Sequence, residues 1–344
     1  MLAEVAGRSF CADGVYLDTA TYGLPPHTVI EAMAYELDKW SRGVGKITDY
    51  DAALARSREL FASLVKVDPS HVAVANQVSV HVGAVAAGLP DGSNVLVPEG
   101  EFTSLLFPFL VQADRGVKVV EVPLEELADH IGPATDLVAF SLVQSSDGRV
   151  ADIAAVIDAA QCHGTATLAD GTQAVGWLPV DASDFNYLVV AAYKWLLSPR
   201  GTAFMTIRPE CLDRVRPVNA GWFAGDDVWQ SIYGSPLRLA SSARRLDVSP
   251  AWLAWIGTEH GLALINDVGV AAIHDHNVTL ANDLRQRLEL APSDSAIVRV
   301  TAGDAEALSA HGIQSAVRGG SVRVGFHLYN DTADVDRLID ALTR

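Results

Sequence analysis

Two ionisable residues, Asp170 and Lys194, stand where a sheet could bring them together. Each closes a short apolar run. Residues 166–169 end in Asp170, and residues 187–192 lead through Tyr193 to Lys194. Runs of that length, bounded by turn residues, read as buried strands of a largely parallel sheet. The C-terminal rim of such a sheet is where open α/β folds bind ligands. An acid and an amine on one rim suit an aromatic aldehyde cofactor. The amine condenses with the aldehyde as a Schiff base, and the acid keeps a ring nitrogen protonated so that the ring accepts electrons. That cofactor is pyridoxal phosphate. Gln173 lies one short turn beyond the acid, on the same rim.

Neither residue is diagnostic alone. A lysine after an apolar strand is commonly a snorkelling surface residue, and Asp-Gly is a common turn. Lys194 differs in its flanks. Val-Val-Ala-Ala-Tyr precedes it and Trp195-Leu196-Leu197 follows, so desolvation pushes the amine towards its neutral, nucleophilic form. A nucleotide-binding α/β protein without covalent chemistry is the competing class. It would carry a GxGxxG or P-loop turn after a strand, and the sequence has neither.

D-G-T-Q-A-V-G (170–176) and A-Y-K-W-L-L-S-P-R-G-T (192–202) resemble the core of the class V aminotransferase family. That family includes cysteine desulfurases, kynureninases and isopenicillin N epimerase-like enzymes. The resemblance runs from Tyr16 to the C-terminal helix and implies an α/β fold, the pyridoxal-phosphate transferase fold type I. It places a mostly parallel, seven-stranded-type sheet in a large domain, residues 15–235. A small α+β domain would comprise residues 1–14 and 236–344. The resemblance also implies Lys194 and Asp170 as catalytic residues and assigns further contacts residue by residue. Ala20 and Thr21 border the substrate, Val78 and Ser79 meet the phosphate, and Phe102 stacks on the cofactor ring. Ser145 takes the place of an asparagine facing the cofactor's phenolic oxygen, with Gln144 as its substitute. Gln173 and Tyr193 contact the cofactor, and Arg323 grips the substrate carboxylate. Ala191 stands where members carry Ser or Thr, so one phosphate contact is lost. Gly221-Trp222-Phe223 and Ser249 match segments that reach a neighbouring subunit's site, which implies a homodimer with shared sites.

The elements that must position these residues follow from pattern. Strands near 71–75, 94–97, 118–122 and 137–142 alternate with helical stretches, as in a doubly wound sheet. The turn Asn76-Gln77-Val78-Ser79 before a helix is a ready anion site, with Ser79 as a hydroxyl donor. The stretch from His27 puts Val29, Met33, Leu37 and Trp40 on one face, and residues 124–130 read as another helix. His274-Asp275-His276 has the wrong spacing for a shared helix face. It reads as solvated surface, and no metal is expected. Arg323 sits in an apolar strand, where a buried guanidinium wants a carboxylate.

Bulk properties exclude other classes. The chain has 344 residues, is 49% hydrophobic and 19% charged, and carries a formal net charge of −17. That charge argues against nucleic acid or an anionic membrane as partner. Three separated cysteines without CxxC spacing and the lack of a signal-peptide pattern fit a cytoplasmic protein. A persulfide-forming desulfurase would need a cysteine near the small-domain entrance, and residues 296–330 contain none. A small amino acid is therefore the expected substrate. β-Elimination of the C–S lyase type leads, with transamination, epimerisation or kynureninase-like hydrolysis as alternatives.

Overall fold

Strand β1 (Val15–Tyr16), helix α1 (His27–Ser41) and helix α2 (Ile47–Leu64) precede a run of alternating elements. These are β2 (Val72–Ala75), α3 (Val78–Gly88), β3 (Asn94–Pro98), α4 (Thr103–Leu110), β4 (Lys118–Val122) and β5 (Leu137–Ser141). They continue with α5 (Ile153–His163), β6 (Ala166–Asp170), β7 (Tyr187–Ala191) and β8 (Ala203–Ile207). Helices α6 (Trp252–Val268) and α7 (Val270–Arg287) lead to β9 (Ile297–Val300), α8 (Ala305–Ala310), β10 (Ile313–Gln314), β11 (Ala316–Arg318), β12 (Ser321–Gly325) and α9 (Thr332–Leu342). The structure, a computed structural model, describes residues 9–301 and 305–343. Among these residues no helix is long and apolar enough to cross a membrane.

The central sheet runs in the order β2-β8-β7-β6-β5-β3-β4. Only β8 opposes its neighbours; the other pairings are parallel. This is the α/β, mostly parallel architecture of fold type I. Strands β5 and β7 are buried along their whole length because helices cover both faces, so they are apolar runs without alternation. Helix α5 shows how the site is delivered. Asp152 caps it by accepting from Ala155 N at 3.1 Å, and Gly164 at φ 69 ends it, so the chain turns directly into β6 and Asp170.

On one side the core is aromatic. Phe61 stacks on Phe204 at 4.2 Å, and Trp255 of α6 meets Phe204 edge-on. Through this layer runs a buried ion pair. Asp247 Oδ2 accepts from Arg58 Nη2 at 2.6 Å, and its Oδ1 accepts from Val74 N at 2.8 Å. Asp247 has no solvent exposure, so Asp247→Ala leaves the Arg58 guanidinium uncompensated. A loss of about 3–5 kcal/mol is expected in urea unfolding. A change under 1 kcal/mol would show that the pair is irrelevant to stability.

Three sequence expectations are corrected. In α1 only Val29 of the predicted stripe is buried. Leu37 and Trp40 are exposed, and Trp40 borders an apolar groove of about 560 Å³ with Ile47, Tyr50 and Trp252. The helix predicted over 124–130 is a short 3-10 turn, Leu124–Glu126. Of His274-Asp275-His276 only Asp275 is fully at the surface: His274 is partly buried against Trp177, and His276, also partly buried, meets Asn330 O at 3.0 Å. Packing also crosses the expected domain boundary. Val15 and Leu17 lie in the core of the small sheet with Val298, Val324 and Phe326, and β1 pairs with β10. Trp255, Leu262 and Ile265 lie in the core of the large sheet. We therefore propose that α6 belongs with the large domain.

Candidate active site

Asp170 and Lys194 sit at the C-terminal ends of adjacent strands, where β6 pairs with β7 in parallel. Asp170 is buried, and its Oδ1 accepts from Thr172 N at 2.8 Å. The Thr172 hydroxyl in turn accepts from Ala191 N at 3.0 Å, which ties the turn after β6 to the end of β7. Glycine is required beyond it. Gly176 has φ 113, and a Cβ there would stand 2.5 Å from Trp195 O. On the other side the loop after β1 lies equally close, since a Cβ on Gly23 would stand 2.0 Å from Lys194 O. Gly23 N donates to Tyr193 O at 2.9 Å. The segment carrying Lys194 is thus clamped between two glycine contacts.

Lys194 is 5% exposed, and rings surround its amine. Nζ lies 5.4 Å from the Phe102 ring centre and 5.8 Å from that of Tyr193. Burial pushes its pKa down, Asp170 opposes this, and Arg323, Arg318 and Arg200 reinforce it. Burial pushes Asp170 up, against its bonds to Thr172; Glu101 adds to the rise and Lys194 opposes it. Both shifts favour the uncharged form, which is what burial does to an acid and an amine alike, and perturbations of this kind cluster at functional sites.

Both residues line a cavity of about 290 Å³ with Gln77, Val78, Phe102 and Arg200. Helix α3 begins at Val78, and Gln77 caps it without a side-chain hydrogen bond. Its first amides are therefore available to an anion. The Arg200 guanidinium lies 4.9 Å over the Tyr193 ring at the same cavity. A buried amine under an aromatic wall, a carboxylate on the neighbouring strand and a cationic cup fit pyridoxal phosphate. We propose that the amine would meet the aldehyde, the carboxylate the ring nitrogen, and the cup the phosphate.

Other expected residues are placed as follows. Val78 and Tyr193 line the cavity. Ser79, one step further around α3, borders a neighbouring hollow with Gly83 and Thr103. Gln173 ties the parts together. Its Nε2 donates to Ala20 O at 2.8 Å and to Ser145 Oγ at 3.1 Å, and its Oε1 accepts from Trp195 Nε1 at 2.8 Å. Arg323, 1% exposed, donates to the carbonyl oxygen of Ser145 and to Thr21 Oγ1, the latter at 2.8 Å. The carboxylate expected beside it is Asp18, at 3.9 Å. Gln144 is engaged with Glu101, its Nε2 donating to Glu101 Oε2 at 3.2 Å. Trp222 packs on Phe223 and Trp229, and Ser249 is exposed; both lie outside this chain's own cavity.

Sequence reasoning missed Glu101, Thr172, Arg200 and Arg318. Glu101 is the least expected, a carboxylate 5% exposed. It accepts from Phe102 N at 2.7 Å and from Ser141 N at 2.8 Å, so it fixes the residue whose ring covers Lys194.

Comparison with known proteins gives these features a family. The chain is 27% identical over 335 residues to an uncharacterized aminotransferase of Bacillus subtilis, YcbU, covering 91% of this chain and 87% of that protein. It is 26% identical over 343 residues to isopenicillin N epimerase of Streptomyces clavuligerus, covering 86% and 85%. The cysteine desulfurase CsdA of Escherichia coli has the same fold, with a TM-score of 0.86 at 23% identity over 100% of this chain and 98% of that one. The Aminotransferase class-V profile matches residues 15–305. By that match the chain belongs to the aminotransferase class-V family of pyridoxal-phosphate enzymes.

Proposed function

We propose that this enzyme acts on a small α-amino acid, with β-elimination of the C–S lyase type as its favoured reaction. The observation that carries the reading is the Lys194 amine, buried under Phe102 beside the Asp170 strand end. Bound pyridoxal phosphate supplies an aldehyde that condenses with amines and a ring that accepts the electrons of a broken bond at Cα.

The chain's residues supply the rest. Lys194 Nζ, neutral more readily than an ordinary lysine, takes the α-proton and can return it to the leaving group. Asp170 would keep a proton on the ring nitrogen, because its carboxylate balances the positive charge there. Phe102 forms a flat apolar wall that keeps water from one face. Arg323 receives the α-carboxylate in place of its present contact with Thr21. Arg200 and the first amides of α3 would hold the phosphate and make up for the hydroxyl contact that Ala191 lacks. Trp222 and Ser249 would act on a second copy's site, so a homodimer belongs to the same proposal.

β-Elimination is favoured over persulfide formation because residues 296–330 hold no cysteine to accept sulfur. Transamination and epimerisation are the alternatives, supported by the relatives described above. Incubation with cysteine-type substrates separates them. Pyruvate and ammonia released without a keto acid acceptor support elimination. Keto-acid-dependent exchange without pyruvate would replace it with transamination.

The phosphate assignment has its own test. Arg200→Gln should weaken pyridoxal phosphate binding to the apo-protein about ten-fold, since a charge-assisted contact of this kind contributes about 1.5–3 kcal/mol. Binding of pyridoxal, which lacks the phosphate, should not change. Equal losses for both ligands would show that Arg200 acts on the fold or on the ring.

A further inference from the structure

One face of the small sheet is unusually basic for a chain with a formal net charge of −17. Strand β12 pairs antiparallel with β11 and β9, so Arg323 lies opposite Arg299 on one side and Ala316 on the other, while Arg318 lies opposite Ser321. By the two-residue alternation of strands, Arg299, Arg318 and Arg323 share a face. The other face carries Val298, Val300, Val322 and Val324, packed into the small domain's core. The basic face is turned towards the cleft. Arg318 Nη2 donates to Thr21 Oγ1 at 3.2 Å, and Arg323 Nη2 donates to the same oxygen at 2.8 Å. Arg299 is already engaged, its Nε on Ser321 Oγ at 3.0 Å.

Arg323 and Arg318 differ in depth. Arg323 is 1% exposed, and its Nε is buried without a hydrogen-bond partner. Arg318 is exposed, one diagonal step along the ribbon towards the entrance. The two residues are diagonal neighbours on the ribbon, about 7–8 Å apart at the backbone, and their guanidiniums reach Thr21 Oγ1 from different depths. Two guanidiniums held one hydroxyl apart repel each other, and Asp18, 3.9 Å from Arg323, is shared between them electrostatically. A ligand with two acidic ends relieves both charges.

We propose that the substrate is an α-amino acid with a second anionic group on its side chain, a carboxylate or an acid of sulfur, which Arg318 receives while Arg323 holds the α-carboxylate. The proposal rests on the amino-acid reading above and adds the substrate class to it. Arg318 is thereby a specificity-determining residue, and the Thr21 hydroxyl separates the two acid sites.

The test uses the holoenzyme and ligands that cannot react. Succinate and glutarate are compared with propionate and butyrate, with affinity read by calorimetry and by perturbation of the cofactor's visible absorption. The diacids should bind at least about ten-fold tighter than the monoacids. Arg318→Gln should collapse that ratio to near one, Arg318→Lys should restore part of it, and circular dichroism should show both variants folded. Equal affinities in the wild type overturn the proposal. So does an Arg318→Gln variant that loses monoacid and diacid binding alike, because the two arginines would then share a single carboxylate. L-Alanine identifies which reading has failed. If it perturbs the absorption while diacids show no advantage, only the second-anion site falls. If no amino acid or acid perturbs it, the amino-acid reading falls as well.

Discussion

Lys194→Ala should abolish turnover, by at least about 10³-fold, and remove the visible absorption that borohydride fixes to the protein. The size follows from two roles resting on one nitrogen. In the proposed reading Nζ both meets the cofactor's aldehyde and takes the α-proton. Alanine supplies neither, and the rings of Phe102 and Tyr193 beside that position cannot substitute. Stability should move the other way from activity. The amine's pKa is depressed in the fold, so between that lowered value and the ordinary lysine value the unfolded chain binds more protons. Wild-type apo-protein therefore gains stability as pH rises through this window, and Lys194→Ala lacks that slope. Thermal melts of the two apo-proteins from pH 7 to pH 10 give the comparison. Peptide mapping after borohydride gives the site directly. Cofactor fixed to another lysine would end the assignment, and parallel pH slopes would show that the amine is not desolvated.

Legibility in the sequence tracked how local each cause was. Asp170 and Lys194 stood out because strand ends and apolar flanks are written in consecutive residues, and the sheet then only had to place β6 beside β7. Arg323 stood out as a charge in an apolar strand; its exposure of 1% is what that pattern implies. Glu101 was invisible for the opposite reason. Its partners Ser141 and Gln144 lie some forty residues along the chain and meet it only where β3 pairs with β5. Arg200 read as part of a turn, and only the folded-back loop sets it over Tyr193. Ser79 shows how little error matters in one dimension and how much in three. A helix start was rightly expected there, but each residue turns a helix by about 100°, and Val78 lines the cavity while Ser79 borders the neighbouring hollow. Leu37 and Trp40 obeyed helical spacing and still ended at the surface, because spacing tells which residues share a face and not what that face meets.

Asp170→Asn should cost turnover on the order of 10²–10³-fold while the cofactor stays attached, and the reason lies in where each charge sits. The asparagine keeps the shape and can still accept from Thr172 N, so the turn holds. It cannot balance a protonated ring nitrogen, so electrons released at Cα find a poorer acceptor. The same substitution acts on Lys194 with the opposite sign. Asp170 is the group that holds the lysine's pKa up against burial and three arginines, and its removal lets that pKa fall further. More of the amine is then neutral at pH 7, so apo-Asp170→Asn should capture added pyridoxal phosphate faster, with the midpoint of its rate–pH profile moved to lower pH. Stopped-flow capture across pH 6–10, beside steady-state kcat, tests both halves. Faster capture with slower turnover requires the carboxylate to serve the ring and the amine at once. If capture and turnover fall together, Asp170 only braces the strand end. If turnover is untouched, the ring nitrogen has its partner elsewhere, and Glu101, buried two strands further along the sheet, is the carboxylate to examine next.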